Sequence, residues 1–525
     1  MPLSSLAYYT GCMRWYRYVA AGMFFALIFY PFYIWPLAFV ALAPFFYLSI
    51  EGRLRDIFWG GVIAGAVGMT PLMYLSLGQR ALQPHGVLLT YAVRASFIFF
   101  IILFGFCVGA VLLAYKLLRR KSALFNALLA ACLYIPYEML LFYIFGGYNY
   151  ASLSHAVVSF PPALWYAGLG GAILVSFIIA ACNAMLAEVV YGWQKGSYRA
   201  GAAALLFFTI IAGGAAAAYC LRPAAAPGAV LATSIIQPAP PSVGGLPFGS
   251  VHEGVFVNDA LAPSISSAAQ KSSLVVYTFS PVRGIVYRDV APASTGVQEI
   301  PDSLIGKWLQ TVTPASVTVV VWNTMSAGGA LYDEYAFWKG GEKSEYRKRE
   351  LYALSDYTPV WAEWLGLRRL PYTITPGEQD NRVEIGGVPV GTLICSELHQ
   401  VGLARREASR GPFIVAIGSD TMFPGDMGGN WSLAAARYRA AENGVFVLRG
   451  NAFGPSAFIK EDGSIQNMLP FGEQGTLVGY VPLQKSHPTI YSRWGAVPLG
   501  FLLVLVVASA LLARVYLPTA PGSLG

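Results

Sequence analysis

Two blocks of apolar sequence limit what this chain can fold into. Residues 18–221 carry one long apolar run after another, residues 496–514 form one more, and residues 222–495 between them have a globular composition. An apolar segment crosses a bilayer as a helix because its backbone polar groups must be hydrogen-bonded internally, and it needs about 20 residues to span about 30 Å of hydrocarbon. The sequence therefore predicts a membrane domain of about seven spans over 1–221, an exported domain over 222–495, and a last span with a short tail over 496–525.

The loops between the apolar runs indicate how the chain is oriented. The runs themselves predict spans at 18–33, 36–50, 57–78, 92–115, 123–146, 161–190, 200–221 and 496–514. Lys and Arg gather at 53–55, 116–121 and 195–199, after every second span, whereas the loops 79–91 and 147–160 have almost none. Basic loops stay on the cytoplasmic side. Both termini are therefore expected in the cytoplasm, and the polar insert (residues 222–495) on the outer face of the membrane.

Two acidic residues fall inside these runs. An ionisable group within a membrane span is a functional candidate by default, because an unpaired charge there is costly. Glu138 lies deep in its run and is expected to line a polar cavity, whereas Glu188 lies near the end of its run and is expected to reach the interface.

The net charge and its distribution argue against a nucleic-acid partner. The net charge of +8 comes from 35 basic and 27 acidic residues, and most of the surplus sits in short loops between spans. Membrane topology explains such a surplus, so we expect no nucleic-acid partner. No metal-ligand cluster and no phosphate-cradling glycine loop stands out, so we expect neither a metal nor a cofactor.

The polar insert alternates between two kinds of pattern. Short apolar, β-branched runs predict strands at 230–236, 273–277, 316–322, 388–394, 413–417 and 445–448. Helical patterns lie at 247–270, 301–310, 398–410 and 430–443, and residues 451–480 read as a hairpin with its turn at Glu461-Asp462-Gly463. Apolar strands that alternate with helices predict an α/β domain whose sheets are buried by helices.

Cys395 is the only cysteine of the polar insert, and it ends the apolar run Gly391–Ile394. A lone thiol in an exported domain has no partner for a structural disulfide, so we consider it a candidate nucleophile; the alternative is a small buried apolar residue. Functional groups concentrate where strands end, which is also where Ser419-Asp420 falls. The charged run 346–350 is expected to be solvated, with the exception of Lys348.

Several short motifs occur in an informative order. They are Phe32–Leu37, Tyr346–Lys348 with Pro359 downstream, Cys395–Glu397, Ser419–Phe423, Arg437–Glu442, and Arg449–Asn451 with Gly454. In this order, and within this topology, the chain resembles the apolipoprotein N-acyltransferases, which are membrane proteins with a nitrilase-superfamily (carbon–nitrogen hydrolase) domain. The resemblance covers nearly the whole chain, and it implies that the α/β domain is an αββα sandwich.

The resemblance implies a site built on a glutamate, a lysine and a cysteine. Cys395 stands at the position of the nucleophile, and Lys348 at the position of the cation that holds the oxyanion. The backbone N–H of Ser396 is the second oxyanion donor. Glu397 and Asp356 match supporting acids, and either is a possible substitute for the base.

The chain departs from the family pattern at the base. The glutamate should follow the strand at 273–277, but Phe279 takes its place, and the nearest acid downstream is Asp289. A phenyl ring cannot accept a proton, and loss of a general base typically costs about 10²–10⁴-fold in rate. Ser396 also stands where the family commonly has an aromatic residue.

The resemblance implies an N-acyltransferase of a bacterial inner membrane. Such an enzyme moves an acyl chain from a membrane phospholipid, through a cysteine thioester, to the N-terminal diacylglyceryl cysteine of a lipoprotein. Two alternatives remain open at this point. One is a catalytically degenerate homologue that binds lipid or lipoprotein, and the other is an amidase or nitrilase acting on a soluble substrate.

Overall fold

The chain forms two compact units in the computed structural model. One consists of Met1–Phe145, Asn149–Leu221 and Arg493–Gly525, and the other of Gly146–Tyr148 and Arg222–Ser492. The structure describes residues 3–29, 31–74, 87–144, 147, 152–222, 228–237, 258–278, 285–287, 299–353, 355–360, 363, 373–378, 382–420, 426–452 and 454–516.

The first unit is helical. Its helices are Leu3–Ala26, the 3₁₀ helix Trp35–Phe39, Ala43–Glu51, Leu54–Met73, Val87–Leu118, Ala123–Ile144, Leu153–Ala156, Pro161–Gly170, Ala172–Gln194, Arg199–Cys220 and Val497–Tyr516. Within the described residues, four helical segments are long and apolar enough to cross a membrane: Ile98–Leu118, Ala123–Ile144, Ala172–Gln194 and Arg199–Cys220. Trp35–Glu51 and Val497–Leu512 are shorter apolar stretches. These helices fit the membrane protein that the sequence predicts.

The stretch 161–190, predicted as one span, is two helices. Pro161–Gly170 and Ala172–Gln194 meet at Gly171, whose φ of 82° lies in the left-handed region. Glycine enters that region without a steric penalty, so the chain turns there instead of continuing one helix. Mean hydropathy cannot detect such a break, because the residues on both sides of it are equally apolar.

The two acids predicted to lie within spans, Glu138 and Glu188, are buried in hydrogen-bond networks. Glu138 accepts from Ser152 Oγ (2.5 Å) and Ser176 Oγ (2.9 Å), which agrees with a polar surrounding. Glu188 forms an ion pair with Arg119 at 2.7 Å and accepts from Tyr115 Oη at 2.7 Å. Glu188 is only 4% exposed, so its carboxylate is buried within the protein. Its position at the depth of the membrane interface stays a prediction. The arginine near the helix end supplies a partner inside the protein.

The second unit contains two β-sheets. In chain order its strands are β1 Val230–Gln237, β2 Leu274–Tyr277, β3 Ile285–Tyr287, β4 Glu299–Pro301, β5 Thr318–Ala327, β6 Ala330–Lys339, β7 Glu342–Arg347, β8 Val383–Ile385, β9 Val388–Ile394, β10 Phe413–Ser419, β11 Phe446–Ala452, β12 Ser456–Ile459, β13 Ile465–Leu469 and β14 Gly475–Pro482. Among the described strands, one sheet runs β14-β1-β2-β5-β3-β4 with β6 on β5 and β7 on β6, and the other runs β13-β12-β11-β10-β9-β8.

Helices cover the outer faces of the two sheets. One apolar cluster joins the sheets to each other, with Val276 and Val320 on one side and Val415 and Leu448 on the other. A second cluster packs the helices Asn258–Ala269 and Asp302–Val312 against the first sheet. A third packs Val401–Arg410 and Met427–Asn443 against the second sheet. The predicted fold class, a helical membrane unit plus an αββα sandwich, is therefore confirmed.

The hairpin β6–β7 was absent from the sequence prediction. Polar and apolar residues mix along Ala330–Lys339, so a search for short apolar runs passes over it. This hairpin brings the run 346–350 into the domain. Tyr346 is 1% exposed, and Arg349 pairs with Glu407 at 2.5 Å. The expectation of a solvated charge run was therefore wrong for most of its length.

Candidate functional site

The nucleophile candidate sits where a parallel strand ends. β9, β10 and β11 run parallel, and Cys395 follows β9 directly as the first residue of the one-turn 3₁₀ helix Cys395–His399. Its φ is 50°, in the left-handed region that costs an ordinary residue roughly 1–2 kcal/mol. Backbone strain of this kind is found at functional sites, where it aims a side chain. The Cys395 Sγ atom lies 4.0 Å from the carbonyl oxygen of Ser419, at the end of β10.

Lys348 is held by two carboxylates. It follows β7, and its backbone N–H donates to the Asp333 carbonyl on β6 at 2.8 Å. The Nζ atom lies 2.6 Å from Asp356 Oδ2 and 3.9 Å from Asp333 Oδ2, and the side chain is 2% exposed. Burial alone would lower the pKa of this lysine, but Cys395, Asp356 and Asp333 together raise it above its usual value. Lys348 is therefore an ammonium and cannot itself serve as a base.

Lys348 and Cys395 lie close enough in the structure to interact electrostatically. Burial raises the pKa of the Cys395 thiol to about 11, although the Lys348 ammonium acts to lower it. At pH 7 a thiol with that pKa is ionised to only about one part in 10⁴. The lysine can therefore stabilise a thiolate or an oxyanion once it forms, but the resting site holds a neutral thiol. Attack by this sulfur requires a group that takes the proton.

Glu397 ties the cysteine turn to the lysine segment. Its Oε2 atom accepts from the N–H of Ile394 at 2.8 Å and from Tyr346 Oη at 2.9 Å. Its Oε1 atom accepts from the N–H of Arg349 at 2.6 Å and of Glu350 at 3.1 Å. Burial raises the pKa of Glu397 even though these donors lower it. Four donors on two oxygens favour a structural role for Glu397, and its service as a base stays a prediction.

The remaining predicted residues lie around this pair. Asp356 Oδ2 accepts from the N–H of Tyr352 at 2.7 Å in addition to Lys348 Nζ, which fits a supporting acid. Ser396 is buried directly after the thiol, and its service as an oxyanion donor stays a prediction. Phe279, the position of the missing base, lies outside the described residues, as do Asp289 and the end of the motif Ser419–Phe423.

Asp333 is an acid that the sequence analysis missed. It lies on β6, it is 13% exposed, and its Oδ1 atom accepts from Thr324 Oγ1 at 3.3 Å. Burial raises the pKa of Asp333 to about 6, the neighbouring charge of Asp356 raises it as well, and Lys348 lowers it. The only signal in the sequence was a pair of acids, Asp333-Glu334, among the aromatic residues of a strand that had not been predicted.

A second ionic cluster lies beside the thiol. Asp420, just after β10, forms an ion pair with Arg449 at 3.0 Å. It also accepts from Asn451 Nδ2 at 3.0 Å and from Ser432 Oγ at 2.9 Å. Burial raises the pKa of Asp420, whereas Arg449 and the hydrogen bonds lower it. The cluster joins the ends of β10 and β11 to a helix, so we assign it a structural role.

One hydroxyl connects the two sheets at the site. Tyr335 on β6 donates to the carbonyl of Leu393 at 2.7 Å and accepts from the N–H of Ile417 at 2.7 Å. Leu393 and Ile417 lie near the ends of β9 and β10, close to Cys395 and Ser419 in the chain. The strand that carries Asp333 therefore also holds the strands that present the thiol.

Comparisons with known proteins agree with the two-part architecture of the chain. Residues 21–185 match the apolipoprotein N-acyltransferase N-terminal domain, and residues 261–491 match the carbon–nitrogen hydrolase family. A protein of Azotobacter vinelandii named apolipoprotein N-acyltransferase is 28% identical and covers 96% of both chains. One of Pseudomonas putida with the same name is 26% identical, over 94% of this chain and 96% of the other.

A solved structure is similar to the second unit. Saccharomyces cerevisiae Nit3, a member of branch 10 of the nitrilase superfamily, has 16% sequence identity and a TM-score of 0.36, over 53% of this chain and 98% of that chain.

The αββα sandwich, with a lysine and a cysteine at its strand ends and apolar helices in the same chain, defines a membrane-associated carbon–nitrogen hydrolase-like protein. The two matched domains and the full-length relatives identify the family further. The chain belongs to the apolipoprotein N-acyltransferase family.

Proposed function

We propose that this protein is an N-acyltransferase that completes the lipid modification of bacterial lipoproteins. In this proposal Cys395 takes an acyl chain from a membrane phospholipid as a thioester. It then passes the chain to the α-amino group of an N-terminal diacylglyceryl cysteine. The observation that carries the proposal is the buried Lys348 ammonium beside a strand-end thiol held at a φ of 50°. The named relatives supply the substrate classes.

The first half of the reaction forms the thioester. The thiol gives its proton to a base, and the sulfur attacks an ester carbonyl of the phospholipid. The negative charge that develops on the carbonyl oxygen is stabilised by the Lys348 ammonium and by the N–H of Ser396. When the intermediate collapses, the carbon–oxygen bond breaks and the lysophospholipid leaves with one proton on its alkoxide oxygen.

The second half releases the chain to the acceptor. The neutral α-amino group of the lipoprotein attacks the thioester carbonyl, and the same donors hold the oxyanion. The carbon–sulfur bond breaks, an amide bond forms, and one proton of the amine returns to the site. Because both substrates are lipids, a site tethered to membrane helices meets them at high effective concentration.

We place the protein in the inner membrane of a bacterium, with the sandwich domain on the outer side. The distribution of basic residues supports this orientation, since the stretches 53–55, 116–121 and 195–199 follow every second predicted span, and basic loops stay on the cytoplasmic side. Labelling of an engineered cysteine in the loop 470–474 by a membrane-impermeant reagent in intact cells tests the orientation.

Thioester trapping tests the mechanism. The full-length protein in detergent is incubated with a phospholipid that carries a labelled acyl chain, and the Cys395 peptide is analysed by mass spectrometry. We expect a hydroxylamine-sensitive adduct on Cys395 that Cys395→Ala abolishes. Cys220→Ala, at an exposed cysteine of an apolar helix, is the matched control and should leave labelling unchanged. An adduct that persists in Cys395→Ala would refute the mechanism.

Phe279 at the position of the base supports a second candidate. In this alternative the chain is a degenerate homologue that binds lipid or lipoprotein without catalysis. Complementation of a strain that lacks the corresponding activity separates the two, since the alternative requires that Cys395→Ala and Lys348→Ala complement as well as the natural chain. The enzyme proposal requires that Cys395→Ala fails.

A further inference from the structure

Any acyl transfer through Cys395 needs a proton acceptor, and the phenylalanine at 279 cannot supply one. The neutral thiol described above must lose its proton before or during attack. Lys348 is already protonated, so a carboxylate that interacts with Lys348 or with Cys395 is the first candidate for the acceptor. Four carboxylates among the described residues interact with Lys348 or with Cys395: Glu397, Asp420, Asp356 and Asp333.

Three of these acids are already committed to other contacts. Glu397 accepts four hydrogen bonds from the backbone and from Tyr346. Asp420 is paired with Arg449 and accepts from Asn451 and Ser432. Asp356 is the close ion-pair partner of Lys348, at 2.6 Å. Protonation of any of them would break charged hydrogen bonds that hold the site together, which costs about 1.5–3 kcal/mol for each bond.

Asp333 has the opposite character. Its carboxylate accepts from the neutral Thr324 hydroxyl at 3.3 Å, and its other oxygen stands 3.9 Å from Lys348 Nζ, too far for a hydrogen bond in the resting site. Asp333 and Asp356 therefore share one ammonium. Two like charges beside a single cation leave one carboxylate poorly compensated, and that carboxylate binds a proton more readily.

We propose that Asp333 is the proton-accepting partner of Lys348 and takes over the task of the missing base glutamate. This inference rests on the proposed function, because it assumes that Cys395 is acylated. Asp333 accepts this proton from Lys348 and does not contact the substrate itself.

The proton moves in two linked transfers. The Cys395 S–H bond breaks as its proton joins Lys348 Nζ. The Nζ atom, 3.9 Å from Asp333 Oδ2 at rest, moves to within hydrogen-bond distance of that oxygen, and a different N–H bond of Lys348 breaks as its proton joins Asp333 Oδ2. Lys348 keeps its positive charge throughout and stays beside the sulfur anion. The net charge of the site is unchanged, and Asp356 continues to anchor the ammonium. The carboxyl proton returns by the same route when the leaving oxygen is protonated.

The pH dependence of acylation tests this assignment. The groups that face Asp333 are Lys348, Asp356, the Thr324 hydroxyl and the Tyr335 hydroxyl, and Cys395 is coupled to it through Lys348. In the natural chain the acylation rate should rise as Asp333 ionises, around pH 6, and then stay level to about pH 9. In Asp333→Asn the rate should fall by about 10²–10⁴-fold at pH 7 and increase tenfold per pH unit, since hydroxide must then ionise the thiol.

A loss of charge alone would act in the other direction. Removing a negative charge near Lys348 favours the thiolate and should speed attack, so a slower Asp333→Asn cannot be explained by simple electrostatics. Damage to the fold would lower the rate by one factor at every pH and leave the shape of the profile unchanged. Asp333→Glu should restore in part the level region of the pH profile, in which the acylation rate does not change with pH.

The experiment uses the full-length protein in detergent and measures release of p-nitrophenol from p-nitrophenyl acetate, with Cys395→Ala as the blank. This activated ester reports thiol acylation whether or not a phospholipid is the donor. Failure of phospholipid labelling alone therefore refutes the proposed function, and not the role of Asp333. Glu342→Gln, at an exposed acid on β7, is the matched control and should leave the profile unchanged.

Two further variants separate Asp333 from its neighbours. Asp356→Asn and Glu397→Gln should lower the rate at every pH, by loss of anchoring, without a change in the shape of the profile. A level region that survives Asp333→Asn overturns the proposal. Loss of the level region in Asp356→Asn or Glu397→Gln would also overturn the proposal, because it would identify the substituted residue as the proton acceptor.

Discussion

The two ionic clusters of the sandwich domain differ in the number of carboxylates that lie beside the cation. In the reactive cluster (Lys348, Asp333 and Asp356) one ammonium faces two carboxylates, at 2.6 and 3.9 Å. In the anchoring cluster (Asp420, Arg449, Asn451 and Ser432) one guanidinium faces one carboxylate, whose other contacts are neutral donors. Both are buried at strand ends. In the anchoring cluster the charges balance, which holds the strand ends rigidly. In the reactive cluster there is one carboxylate more than there are cations, and we propose that this carboxylate accepts the proton.

Among the substitutions that test this comparison, removal of Lys348 should have the largest effect on acylation of Cys395. Lys348→Met deletes a charged oxyanion donor, so we expect acylation of Cys395 to fall by at least about 10²–10³-fold. It also leaves Asp333 and Asp356 side by side without a cation. The folded-state pKa of Asp333, already raised by burial, then rises further, so the variant should lose more stability relative to the natural chain at pH 8 than at pH 5, where protonation of Asp333 relieves the repulsion.

Thermal unfolding of the Lys348→Met protein at the two pH values checks the second part. An equal loss of stability at pH 5 and pH 8 would show that the two acids do not depend on Lys348 for their charge balance.

Disruption of the anchoring cluster should give the opposite pattern. Arg449→Met leaves the Asp420 carboxylate buried without its cation, which typically costs about 3–5 kcal/mol. We expect the unfolding temperature of the sandwich domain to drop by on the order of 10 °C, while acylation per folded molecule at low temperature stays within about tenfold.

A second substitution sharpens the test of the anchoring cluster. Asp420→Asn in the Arg449→Met background removes the stranded charge, so the double variant should be more stable than Arg449→Met alone. If Arg449→Met unfolds at the natural temperature, the cluster does not have the anchoring role assigned to it.

The smallest effect is expected next to the thiol. A Cβ atom at Gly418 would lie 3.3 Å from the Cys395 Cα atom, which is tighter than ordinary contact. Gly418→Ala should therefore shift the cysteine turn by a few tenths of an ångström and lower the acylation rate roughly several-fold, since misplacement by about 1 Å can cost about 10²-fold. Gly402→Ala, where a Cβ meets nothing within 4 Å, is the control. Equal rates for the two variants would contradict the close packing.

Much of the sandwich could be predicted from the sequence because its buried strands are short apolar runs. Val388–Ile394 and Phe413–Ser419 have that composition, and together with the motif order they led to Cys395 and Lys348. β6 could not be found in this way, because Asp333 and Glu334 interrupt its apolar pattern. Their charges are compensated by residues distant in the sequence, such as Lys348 and Lys343.

The hydrogen-bond partners of each acid could not be predicted from the sequence either. Asp356 and Glu397 were equal candidates for a substitute base, because a sequence does not reveal which carboxylate oxygens already accept hydrogen bonds. The break at Gly171 and the partner of Glu188 were missed for a related reason. Hydropathy averages describe a whole segment, whereas one φ angle or one arginine decides the local outcome.

The hydroxyl of Tyr335 has a consequence for how the site tolerates motion. Tyr335 and Asp333 are two residues apart on β6, so they share one face of the strand. Tyr335 grips the ends of β9 and β10, from which Cys395 and Ser419 project. A slide of one sheet against the other at this point would break both of these hydrogen bonds. The Tyr335 hydroxyl therefore opposes relative movement between the strand that carries Asp333 and the two strands that lead to Cys395 and Ser419.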